Sequence, residues 1–219
     1  GNFFNVSHTE MSFDLGAVMD WAIGPAPFAN KVDGTMIGTV GHSLGGKLAI
    51  MAAINDERVS AVLGIDPVDG DPSPLGSAPA NRPDLAPGTA AQISVPVGFI
   101  GETTNGMGSG FTPACAPSDN NFKNLFDGCT GASWAAEWDF VGADHMDFVW
   151  NCPEGGFVNL CGTCPDGIAN PELVRENTKI IALAFFKRHL LNDLSQDDVL
   201  IGARLPSGIG VRTRGVESP

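Results

Sequence analysis

Ser43, Asp66 and His145 occur in the chain order that a serine-based acyl-transfer site needs. A serine hydroxyl is a weak nucleophile until a base takes its proton, and the base needs an acid to orient it. Ser43 lies in Gly41-His42-Ser43-Leu44-Gly45-Gly46, a Gly-x-Ser-x-Gly run. Met36-Ile37-Gly38-Thr39-Val40 enters it like a buried strand, and Lys47-Leu48-Ala49-Ile50-Met51-Ala52-Ala53-Ile54 leaves it like a helix. That setting predicts a nucleophile elbow, a sharp strand-to-helix turn that lifts a serine hydroxyl above the sheet. The bland alternative is an ordinary glycine-rich turn. It leaves the flanking strand and helix patterns unexplained.

The other members follow by order and position. Four histidines occur, at 8, 42, 145 and 189. His8 precedes the elbow, and His42 lies inside it, where it is expected to line the substrate pocket. His189 falls beside Lys187 and Arg188 on what reads as a charged helix face. His145 is therefore the expected base. Asp66 is the expected acid because it ends the apolar run Val59–Ile65. A turn former ahead of Pro67 is its bland reading. Glu102, ending the next strand, is the competing acid; Asp69 and Asp71 are also near, and Asp144 and Asp147 flank the histidine. The Leu44 N–H is the expected oxyanion donor. A second donor has no obvious source in the sequence.

These residues need a scaffold. Helix-like spacing over residues 11–23 places Phe13, Ala17, Val18 and Trp21 on one stripe, and Gly24-Pro25 stops it. Strands are predicted at 35–40, 59–65, 93–100 and 135–141, and an amphipathic helix at 173–191. Residues 67–92 and 103–131 read as long loops, and Leu75, Met107 and Phe111 within them are expected to wall an apolar substrate pocket. Residues 192–219 read as a polar, glycine-rich surface tail. Short apolar strands alternating with helices predict an α/β layer with a mostly parallel sheet, helices on both faces, in one domain over residues 1–219. In such sheets the strand carboxyl ends share one edge, which is where ligands bind.

Composition narrows the rest. The net charge of −13 argues against nucleic acid or an anionic membrane surface as an electrostatic partner. No apolar run has the length of a membrane span. Cysteines at 115, 129, 152, 161 and 164 sit in Gly/Pro-rich loops, which suits a secreted protein or another oxidising compartment. Two disulfides and one spare thiol is the simplest arithmetic. The rival reading is zinc at Cys161-Gly162-Thr163-Cys164 with Cys152, but a structural zinc site usually takes two such pairs and only one is present. Neither a metal nor an organic cofactor is expected.

Beyond the elbow, three further stretches carry a resemblance. They are Ser60-Ala61-Val62-Leu63-Gly64-Ile65-Asp66-Pro67-Val68-Asp69-Gly70, Pro113-Ala114-Cys115-Ala116-Pro117 with Asn121–Cys129, and Asp144-His145-Met146-Asp147. Together with Gly41–Lys47 they resemble the chlorophyllases, α/β-hydrolase-fold esterases that cleave the phytyl ester of chlorophyll. The resemblance covers roughly residues 35–190. It implies Ser43 as nucleophile, Asp66 as acid, His145 as base, and Cys115 paired with Cys129. Leu44 stands where the family usually has Arg, and Asp144 where the residue before its histidine is usually Gly.

An α/β-hydrolase normally has several strands ahead of the elbow strand, whereas 34 residues precede Thr35. The reading is therefore a fold lacking its N-terminal strands, with an N-terminal segment of the same protein expected to pair with the 35–40 strand. The leading functional expectation is a serine esterase acting on small hydrophobic esters through an acyl-enzyme. The alternative is a non-catalytic relative that binds a ligand or partner, since a fold does not secure a function. An acyltransferase would use the same triad with an acceptor other than water.

Overall fold

The computed structural model describes residues 6–69, 79–105, 115–149 and 164–215. Strands β1 (Ile37–His42), β2 (Val59–Ile65), β3 (Val97–Glu102) and β4 (Ala135–Phe140) lie parallel and side by side in chain order. A fifth strand, β5 (Ile209–Arg214), adds antiparallel to β4. The helices are α1 (His8–Ile23), α2 (Leu44–Asn55), α3 (Phe122–Gly128), α4 (Pro171–Leu190) and the short α5 (Asp197–Leu200). The chain has an α/β fold.

Alternation along the strands divides the core between two faces. Val62, Val97, Phe99 and Ala135 pack with Leu48 and Ile50 of α2 and with Phe122, Leu125 and Phe126 of α3. Ala61, Leu63, Ile100, Ala136 and Trp138 pack instead with Val174, Ile181 and Phe185 of α4. Covered on both sides, β2 and β3 must be apolar almost throughout, which is why they were legible as strands. Helix α4 starts two residues earlier than its apolar pattern indicated. Asn170 caps it, accepting from the Glu172 and Leu173 N–H groups, and Pro171 occupies the first turn.

Several expectations need correction. The elbow strand runs Ile37–His42 rather than 35–40, so it extends up to Ser43. In α1 the predicted stripe faces outward: Phe13, Val18 and Trp21 are exposed, and His8, Ser12 and Met19 are buried. The stretch 103–131 contains α3, a two-turn helix that reads as loop because glycine, proline and asparagine surround it. Residues 192–215 are not a surface tail. Leu200 is fully buried, and β5 completes the sheet with Arg212 bridging Glu137 and Asp127. The Arg212 and Arg214 guanidiniums lie 4.5 and 4.8 Å from the Phe126 ring centroid. A solvated edge strand built on cation–π and ionic contacts carries little apolar signal.

The disulfide also differs. Cys115 pairs with Cys164, their Cα atoms 5.2 Å apart, and Cys129 is a buried free thiol. Cys129 closes α3 and packs in the cluster containing Leu85, Ala90 and Phe126. Burial pushes that thiol up to about 12. Because the Cys164 sulfur is committed to Cys115, it is not available as a zinc thiolate. Among the described residues no group of three or more His, Cys, Asp or Glu is placed to hold a metal. None of their helices is long and apolar enough to cross a membrane.

Candidate functional site

Ser43 stands between the last residue of β1 and the first of α2, with φ 57° and ψ −126°. A non-glycine residue at positive φ is strained and persists only where its surroundings fix it. The surroundings here are explicit. Ser43 N–H donates to the Ile65 carbonyl at 3.0 Å, and the Ser43 carbonyl accepts from Gly46, Lys47 and Val68. Two glycines permit the turn. A Cβ on Gly41 would lie 2.2 Å from the Gly45 backbone, and one on Gly46 would lie 2.8 Å from the Pro67 side chain. Serine at a helix N-cap ordinarily accepts from the first turn. The Ser43 hydroxyl makes no such cap bond; it lies 3.0 Å from His145 Nε2.

Asp66 directly follows β2 and is wholly buried, also at positive φ. Its N–H donates to the Ile100 carbonyl at 2.6 Å, and its Oδ2 lies 2.5 Å from His145 Nδ1. Its other oxygen accepts from the Glu102 N–H at 3.3 Å. Burial pushes the Asp66 carboxyl up, while the bonds from His145 and Glu102 pull it back. A carboxylate facing Nδ1 puts the imidazole proton there and leaves Nε2 as an acceptor for the serine O–H.

His145 lies on the turn after β4. Asp144 and Asp147, the flanking carboxylates, build that turn and do not reach the ring. Asp144 accepts from the Met146, Asp147 and Gly167 N–H groups, and Asp147 accepts from Asp144 N–H at 2.9 Å. His42, at the end of β1, donates from Nε2 to the His145 carbonyl at 2.9 Å, its ring centroid 4.6 Å from that of His145. Burial first, then the neighbouring His145, pushes His42 down to about 4, so it is neutral near pH 7. Its contact with His145 is thus positional. Met107, Phe111, Leu75 and Asp71 lie outside the described residues.

Leu44 opens α2, where first-turn N–H groups have no intrahelical acceptor and the helix dipole favours negative charge. Its N–H is therefore the first-turn donor that immediately follows Ser43.

Asp69 serves another purpose. It accepts from Leu85 and Ala86 N–H at 2.7 and 2.9 Å, and its own N–H donates to Asn121 Oδ1 at 2.8 Å. The fully buried Lys47 ammonium donates to the Asp69 carbonyl and stands 3.7 Å from its carboxylate. This ionic knot ties α2 to the two segments that follow β2 and β3. Sequence reading missed it, although a lysine inside an otherwise apolar helix was a signal.

A strand, a serine at strained backbone angles and a helix, with an acid after the next strand and a histidine after the last parallel one, define an α/β-hydrolase. The family model described as Chlorophyllase matches residues 23–207, and the chain belongs to that family. Membership makes it a hydrolase. A search of curated proteins finds no match.

Proposed function

We propose that the protein is a serine esterase that hydrolyses hydrophobic carboxylic esters through an acyl-enzyme. One observation carries the reading: Ser43 Oγ is 3.0 Å from His145 Nε2, whose Nδ1 is 2.5 Å from a fully buried Asp66 carboxyl. In this mechanism His145 takes the Ser43 proton as Oγ attacks the ester carbonyl. The Leu44 N–H stabilises the oxyanion, and Asp66 stabilises the imidazolium. The imidazolium protonates the departing alcohol. Water, deprotonated by the same imidazole, then releases the acid and frees Ser43. Ester and water balance the two steps, with no further co-substrate consumed.

Family membership supports a hydrophobic ester as substrate, with Met107 and Phe111 as proposed apolar walls of the site. The Cys115–Cys164 bond supports an oxidising compartment, with secretion as the specific proposal. Strand β1 has no partner on its outer side among the described residues, and Val40 within it and Met36 just before it are exposed. That open edge supports pairing with a further segment of the same protein. Intact mass of the active preparation tests this, since activity from a lone 22.8 kDa species would rule the segment out as a requirement.

The esterase reading is tested by fluorophosphonate labelling and p-nitrophenyl ester hydrolysis. Wild type should label at Ser43 and turn over, and Ser43→Ala should do neither. Equal behaviour of the two proteins would refute it.

A further inference from the structure

A second carboxyl stands directly behind the candidate triad. Glu102 ends β3 and is fully buried, and its main-chain N–H is the donor to Asp66 Oδ1. Its side chain turns back on the chain that follows. Oε2 accepts from the Thr104 N–H and, at 2.7 Å, from the Asn105 N–H, closing a tight turn over residues 102–105. That turn grips the segment carrying the base: Thr103 Oγ1 accepts from Gly142 N–H at 2.8 Å, and Thr104 N–H donates to the Ala143 carbonyl at 3.2 Å. Gly142 and Ala143 lead straight into Asp144 and His145. One residue therefore touches the acid through its main chain and supports the base through its side chain.

The carboxyl is unevenly satisfied. Two N–H groups meet Oε2, whereas Oε1 is buried without a hydrogen-bond partner among the described residues. The titratable groups facing it are Asp66 from the end of β2 and His145 from the turn after β4, and α3 presents the Phe122 ring beside Gly101. Resting on the esterase reading above, we propose that Glu102 is a positioning residue of the relay: it fixes the turn that holds His145 and, as a second carboxyl behind Asp66, sets the protonation range in which the imidazole can act as base.

The direction of the effect follows from charge. Burial, then the Asp66 charge, pushes Glu102 up to about 7, within reach of the pH at which the enzyme would work. Ionised Glu102 adds negative charge beside the ring and favours imidazolium, which cannot accept the Ser43 proton. Removing that charge is therefore expected to move the acid limb of kcat/KM. Glu102→Gln keeps an oxygen acceptor for the turn and removes the charge. Glu102→Ala removes both.

The test compares pH profiles of kcat/KM for wild type, Glu102→Gln and Glu102→Ala, with melting temperatures alongside. Glu102→Gln should retain kcat within a few-fold near neutrality, and its acid limb should move to lower pH by about half a unit or more and sharpen to a single ionisation. Glu102→Ala should lose kcat by about tenfold or more at every pH, with KM little changed. A Glu102→Gln limb superimposable on wild type overturns the proposal, whatever its melting temperature does. Should that variant not fold, the carboxyl resonance of Glu102 in wild type decides. A titration shared with the His145 ring supports the coupling, and an isolated step near the ordinary value for glutamate overturns it. Wild type that hydrolyses no ester, or a Ser43→Ala protein of equal rate, overturns the esterase reading instead, and the resonance experiment still reports on Glu102.

Discussion

Alanine at position 46 should damage the protein by moving the acid, while alanine at position 45 should be harmless, although Gly45 is the glycine that defines the Gly-x-Ser-x-Gly motif. A Cβ on Gly46 would lie 2.8 Å from Pro67 Cβ, 3.1 Å from its Cα and 2.9 Å from the Gly41 carbonyl oxygen. Neither neighbour has a flexible end that can swing away. Overpacking of this kind costs about 1–3 kcal/mol, which for a chain of this size lowers the melting temperature by about 2–12 °C. Pro67 follows Asp66 directly, so relief of the clash displaces the carboxylate from its 2.5 Å contact with His145. A misplacement of about 1 Å in such a relay costs roughly 100-fold in rate. A Cβ on Gly45 meets nothing within 4 Å among the described residues. Ala is the better helix former there by up to about 1 kcal/mol, so Gly45→Ala should melt no lower than wild type and keep its rate within about twofold. Both variants would be compared by p-nitrophenyl butyrate hydrolysis, fluorophosphonate labelling and thermal denaturation. Equal damage from the two substitutions would refute the steric argument and return the explanation to the motif itself.

Asp66→Asn should keep the fold and lower kcat by about three to four orders of magnitude with KM nearly unchanged, because an amide facing Nδ1 favours the wrong tautomer; steady-state kinetics with a soluble ester checks it, and a loss below tenfold would exclude Asp66 as the acid. Lys47→Met should lower stability by about 3 kcal/mol in urea denaturation, since it strips the buried Asp69 carboxylate of its cation; the two N–H donors left on Asp69 keep the loss at the low end. His189→Phe should gain stability over wild type as pH falls. Burial between Trp134 and Phe185, then Arg188, pushes His189 from its ordinary 6.5 down to about 4. The unfolded chain then binds a proton below about 6.5 that the folded chain refuses until about 4, so the wild-type contribution is complete above that window and lost within it. Melting temperatures at pH 7 and pH 4.5 should differ by a few degrees more in wild type than in the variant.

What the sequence could disclose depended on whether a segment's partners were water and backbone or specific distant side chains. Strands β2 and β3 are covered on both faces, so their runs of apolar residues carry their own explanation. Asp66 and His145 stood out as candidates because each follows a strand, and the strand order β1-β2-β3-β4 brings those ends together. Stripe reasoning failed for α1, where Phe13, Val18 and Trp21 stand in solvent and the polar His8 and Ser12 face inward. It failed for His189 as well: placed by its neighbours on a charged face, it packs 4.6 Å from the Trp134 ring and 4.7 Å from that of Phe185. Strand β5 was invisible because its attachment depends on arginines meeting Glu137, Asp127 and the Phe126 ring, none of them near it in sequence.

The elbow itself shows why order along the chain carried so much of the site. His42 pairs in register with Ile65, and Ile65 with Ile100, so the residues next in line are Ser43, Asp66 and the approach to Glu102. A parallel register that aligns three strand ends forces their successors into one crowded rim. There the Ser43 N–H bonds the Ile65 carbonyl, the Asp66 N–H bonds the Ile100 carbonyl, and the Glu102 N–H bonds Asp66 itself. Each strand end thus satisfies the next, and the strained backbone at Ser43 and Asp66 is held from the sheet side without help from the substrate. Ser43 and Asp66 are thus set by main-chain registry, while His145 depends on a separate turn. The 142–145 turn and its Glu102-closed clasp are accordingly where substitution should alter rate without unfolding the sheet.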